Sequence, residues 1–283
     1  MSKISFDQFA VMSVQYVQHS LEFYLDSMVR CGIKNVDFWG GVPHYNRLSY
    51  PTAAEAQSRL KEIRRSIDGR GLQVVVYTPE TLTYPFSYSS PEKAVRDSTI
   101  RYMEAAMEDA RILGTNHLFL NTGCGLRDLP REESWKRCVE SIQTLCEKAE
   151  SMEIEMIIEQ LQPYESNLLV SQEDMVRMLK EVDSPALKTC VDVVAMEVMG
   201  ENLRTQYELF KDHIRLFHYC DGDPSGHSIL GTGNLPLKDY LSIMEENDFD
   251  GYLSLEINDS MYWMDPHDSI QKSVDYLHNV LGL

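Results

Sequence analysis

The six cysteines (Cys31, Cys124, Cys138, Cys146, Cys190 and Cys220) form no C-x-x-C pair and no regular spacing. That argues against a zinc knuckle or a disulfide framework and for reduced thiols in an intracellular protein. Basic residues are scarce, with 26 Lys and Arg against 44 Asp and Glu and a formal net charge of -18. Nucleic acid is therefore not expected as a partner, because affinity for a phosphate backbone comes from basic side chains releasing counterions. No apolar run approaches the roughly 18 to 20 residues that span a bilayer, and the first residues lack the basic-then-apolar order of a secretory signal. No membrane partner and a cytoplasmic location are the expectation. A glycine-rich phosphate loop is missing too: Gly231-Thr-Gly-Asn is too short to act as one.

What is present is alternation. With 43% hydrophobic residues in 283, the chain can bury a large core, and residues 1–283 are read as one domain. Short runs rich in Ile, Val, Leu and Phe predict strands over 9–14, 35–39, 73–77 and 117–120, with four more ending at Glu159, Asp192, His218 and Glu256. Amphipathic stretches between them predict helices over 19–30, 52–69, 91–113, 131–151, 171–181, 202–212, 236–247 and 266–281, several ending near glycine, as at Gly32 and Gly114. Eight strands and eight helices in strict alternation fit a closed (β/α)8 TIM barrel or an open doubly wound sheet.

The strand ends decide between the two. Glu159, Asp192, His218 and Glu256 each close an apolar run and each can bind a divalent metal. They are spaced roughly 33, 26 and 38 residues apart, about one strand–helix–strand step each. Four successive strand ends meet at one point in a barrel and seldom in an open sheet. Three carboxylates and one imidazole form an oxygen-dominated set suited to one Mn2+, Mg2+ or Co2+ ion, with Zn2+ less favoured. Glu159 and Glu256 could also move protons on opposite faces of a substrate carbon whose neighbouring oxygens the metal chelates, inverting that centre through an enediolate.

The segments VDFWGGVPH (36–44), YTPE (77–80), MIIEQLQPYESN (156–167), VDVV (191–194), HYCDGDPSGHSILGTGNLPL (218–237) and GYLSLE (251–256) resemble the sugar phosphate isomerase/epimerase superfamily, the xylose isomerase-like TIM barrels. Within it they look most like the fructoselysine 3-epimerases. The resemblance covers essentially the whole chain. It implies a metal at Glu159, Asp192, His218 and Glu256, with Glu159 and Glu256 as the acid/base pair. The chain departs from many members in having Gln160 where they carry proline. Ala195 stands where tagatose and psicose epimerases place a histidine, and the loop 221–226 has no arginine. These departures count against a free ketohexose as substrate.

For substrate binding, His227 matches a histidine common in the family, and Trp39 and His44 flank Gly40-Gly41, where the indole could cover a sugar face or plug the barrel. Glu80, Glu165 and Asn167 are candidates for substrate contact or for bracing their loops. Cys190 and Cys220 are expected to pack into the barrel wall. The leading reading is a metal-dependent 3-epimerase of a ketose or ketosamine, such as fructoselysine or psicoselysine, working as a homodimer or homotetramer. Aldose–ketose isomerisation, inosose-type dehydration and non-catalytic sugar binding on the same barrel are the alternatives.

Overall fold

Apolar strands buried on both faces need helices to cover them, and that requirement sets the order of elements along the chain. The computed structural model describes residues 3–283. It places β1 (Phe9–Met12), α1 (Leu21–Arg30), β2 (Asn35–Gly40), α2 (Ala53–Asp68), β3 (Gln73–Pro79), α3 (Lys93–Leu113), β4 (His117–Asn121), α4 (Arg131–Met152) and β5 (Glu155–Glu159) in the first half. There follow α5 (Gln172–Val182), β6 (Leu187–Asp192), α6 (Val193–Val198), α7 (Leu203–Phe210), β7 (Ile214–His218), α8 (Leu237–Glu246), β8 (Tyr252–Leu255) and α9 (Pro266–Leu281). The strands pair in sequence order, all parallel, and β8 closes on β1. The expected TIM barrel is the observed fold.

Local chemistry sets the helix starts. The Ser20 hydroxyl accepts the Phe23 N–H at the start of α1, and Thr52 and Glu55 form a reciprocal capping box at α2. Two expectations need correction. β1 ends at Met12, because residues Ser13–Tyr16 turn into a 3-10 helix. A helix that the periodicity did not show, α6, follows β6 directly: Asp192 Oδ1 accepts the N–H groups of Val194 (2.7 Å) and Ala195 (3.3 Å), so the strand-end acid is also a helix cap.

The core has two parts. Ala10, Val75, Val76, Phe119, Ile157, Cys190 and Leu216 fill the barrel interior. A larger apolar layer lies between the strands and the surrounding helices. The loop after β2 is fastened to α3 by the fully buried Asp109, which accepts from Arg47 Nη1 (2.5 Å) and Tyr45 Oη (2.9 Å).

Gly251 sets the entry to β8. A Cβ there would lie 2.2 Å from the carbonyl oxygen of Arg215 and 2.6 Å from the Phe249 ring. Gly251→Ala is expected to destabilise the fold by about 1–3 kcal/mol, the usual cost of overpacking. Urea unfolding checks this, and a midpoint equal to that of the parent protein would contradict it.

Candidate active site

Period-two alternation aims the last residue of a strand, and the residue two before it, at the barrel axis. Glu159 is paired in register with Cys190, Asp192 with His218, and His218 with Ser254. Glu256 lies one residue beyond the end of β8. One carboxylate oxygen each from Glu159, Asp192 and Glu256 lies within 4.8 Å of the others. His218 Nδ1 faces the same point, 2.9 Å from Glu256 Oε2 and closer still to Glu159 Oε1. The four residues expected as metal ligands are thus brought together.

Their surroundings hold them there. The Phe119 ring stacks on His218 with centroids 5.1 Å apart. His227 Nε2 donates to Asp192 Oδ2 (3.2 Å) and lies 3.8 Å from Glu256 Oε2. Burial pulls the His227 imidazole down, but the Asp192 and Glu256 carboxylates outweigh it and hold the ring at about 10. Burial pushes Glu159 up to about 7 against the pull of His218, near the range in which a carboxylate can both take and give a proton. The loop carrying His227 is organised by the buried Asp221, whose Oδ1 accepts from Gly222 and Leu235 and whose Oδ2 accepts from Gly231.

The donor set fits a divalent cation. His218 Nδ1 is fully buried and makes no hydrogen bond, although two carboxylates stand beside it. Three acids this close repel one another, and the His227 imidazole beside Asp192 and Glu256 offsets only part of that charge. An imidazole nitrogen beside Glu159 and Glu256, with three hard oxygens grouped at the strand ends, offers donors of the kind such an ion takes. Glu159, Asp192, His218 and Glu256 would hold it.

The site opens into a cavity of about 270 Å³. Trp39, Glu80, Glu165 and His227, all expected near substrate, line it. Trp39 Nε1 donates to Glu80 Oε2 (3.1 Å), whose Oε1 accepts the Leu82 N–H, and Glu165 Oε2 accepts the Gln162 N–H. Two candidates lie elsewhere. His44 is buried with Nε2 3.2 Å from the His19 carbonyl and its ring stacked on Tyr24, and burial pulls it down to about 4. Asn167 Oδ1 accepts the Gly125 N–H (2.8 Å), tying the loop after β5 to the loop after β4. Both brace loops and neither lines the cavity. Cys190 also needs correction: two residues before Asp192, it points into the barrel, with Sγ 4.0 Å from Glu159 Oε1, and burial pushes its thiol up to about 12.

Sequence reasoning passed over Asn121, Tyr164, Asn258 and Asp259, which line the cavity, and Asp37 beneath it. Asn121 carried the same signal as Glu159, Asp192 and His218, a polar residue closing an apolar run, and it pairs in register with Glu159.

A closed eight-stranded parallel barrel with three acids and a histidine converging at the carboxyl ends of its strands defines a (β/α)8 protein with a metal-type centre in the usual position for catalysis. The chain belongs to the xylose isomerase-like TIM barrel family, whose sequence model matches residues 25–280. It is 27% identical over 237 residues to fructoselysine 3-epimerase of Escherichia coli O157:H7, covering 83% of this chain and 84% of that one. Among solved structures it is similar to an L-ribulose 3-epimerase (TM-score 0.81, 17% identity, 97% of this chain and 94% of that one). It is also similar to D-psicose 3-epimerase of Clostridium cellulolyticum H10 with D-tagatose (TM-score 0.79, 14% identity, 97% and 99%). Among the described residues, no helix is long and apolar enough to cross a membrane.

Proposed function

We propose that this protein is a divalent-metal-dependent sugar 3-epimerase acting on a ketosamine of the fructoselysine or psicoselysine kind. The reading is carried by the convergence of Glu159 and Glu256 on one point from strands three places apart around the ring. Two carboxylates reaching a substrate carbon from different sides suit inversion. One takes the C3 proton, and the electron pair spreads over C3, C2 and the carbonyl oxygen. The other delivers a proton to the opposite face. A divalent cation would supply the Lewis acidity that makes this C–H labile. Asp192 and His218 complete the ligand set, and His227 restrains Asp192. The named relatives are themselves epimerases of ketoses or of fructoselysine.

The amine-bearing substrate is supported by charge. Besides the three proposed ligand carboxylates the cavity is lined by Glu80, Glu165 and Asp259, and among the described residues no Lys or Arg lines it. An ammonium group is favoured in such a field and a phosphate is not.

Proton NMR in D2O tests the proposal, using chelator-stripped protein reloaded with Mg2+ or Co2+ and supplied with fructoselysine, psicoselysine or neutral ketoses. Metal-dependent deuterium entry at C3, faster for the ketosamines, is the expected result. Entry at C1 in place of C3 would make the protein an isomerase, and no exchange with any sugar would remove the epimerase reading.

A further inference from the structure

Asp37 on β2 is a carboxylate inside the barrel with no exposure to solvent. It lies two residues before Trp39 and so on the same face of the strand, one layer below the cavity mouth. Its Oδ1 accepts from Thr78 Oγ1 on β3 (2.6 Å), and its Oδ2 accepts from Ser254 Oγ on β8 (2.8 Å). Oδ2 also lies 3.9 Å from His218 Nε2. His218 Nε2 is itself buried and makes no hydrogen bond. A buried carboxylate persists only where donors and positive charge compensate it.

A neutral imidazole has one proton and one lone pair. In this barrel Nδ1 faces Glu159 and Glu256, and Nε2 faces Asp37. We propose that Asp37 is a positioning residue that keeps the His218 proton on Nε2, and thereby keeps the Nδ1 lone pair directed at the site between Glu159 and Glu256. Thr78 and Ser254 hold both carboxylate oxygens, so the acceptor beneath Nε2 does not swing away. The 3.9 Å separation is a charge–dipole distance, and a movement of roughly 1 Å makes it a hydrogen bond. An acceptor behind a ligating histidine sets both its tautomer and its ring orientation. The inference rests on the metal site proposed above.

The test combines a variant with a measurement on the parent protein. Mn2+ affinity, from competition with a chelator, is compared for the parent and Asp37→Asn, together with the melting temperature of each without metal. The expected result is binding weakened by about 10–100-fold in Asp37→Asn, beyond what any change in metal-free melting explains. A purely structural role would move the melting temperature and leave the affinity alone, and that outcome overturns the inference while sparing the metal site. Nitrogen-15 NMR of the histidines in the metal-free parent protein, where no ion dictates the tautomer, decides the matter even where the variant does not fold: a proton on Nε2 of His218 supports the proposal, and one confined to Nδ1 overturns it. Failure of the parent protein to bind Mn2+ or Mg2+ would overturn the metal site and this inference together.

Discussion

Glu159→Gln and Glu256→Gln should each lower turnover by about 10²- to 10⁴-fold, the range associated with losing a general acid or base. Glutamine keeps the shape of the side chain and one oxygen, so a ligand position is retained in part, but the amide neither takes nor gives a proton near neutrality. The barrel should survive, because replacing one of three mutually repelling acids relieves charge crowding at the strand ends. Circular dichroism and thermal melting provide that control, and metal affinity measured alongside separates lost ligation from lost proton transfer. With one base remaining, residual solvent deuterium is expected to enter one epimer in preference to the other. A variant with parental rates and parental affinity would remove that glutamate from the proton path.

Stripping the protein with a chelator should abolish turnover and lower the melting temperature, with Mn2+, Mg2+ or Co2+ restoring both. The stability effect follows from mass action: an ion at one hundred times its dissociation constant stabilises the folded state by about 2.7 kcal/mol. At roughly 2 °C or more per kcal/mol for a chain of this size, the shift is several degrees and easily measured. The sign follows from the site, where Glu159, Asp192 and Glu256 crowd together and His218 Nδ1 lacks a hydrogen bond. Full activity after exhaustive chelation would sink the metal-dependent reading.

The converging quartet was legible because a buried parallel strand is an uninterrupted apolar run, and a polar residue closing it marks the end of the strand. Helix periodicity was similarly plain, with α9 found at its expected limits. The short helix α6 was not, since a single turn or two gives no period to read and depends on the Asp192 side chain as its cap. His44 lies one turn beyond a glycine pair and invited a substrate role, yet its ring packs inward against Tyr24. Asn167, Cys190 and Asp37 depended on loop packing and barrel closure, which set partners that no local pattern names.

The sequence by itself determined the alternating elements, the barrel and the identity of the four converging residues, because burial periodicity and strand-end polarity are local properties carried along the chain. Only the tertiary structure decided which oxygen meets which nitrogen. It put Asp37 beneath His218, His227 against Asp192, and Asn121 and Asp259 on the cavity wall, with His44 and Asn167 away from it. The physical reason is closure of the ring: it brings residues from β2, β7 and β8 within a few ångströms although up to 217 positions separate them.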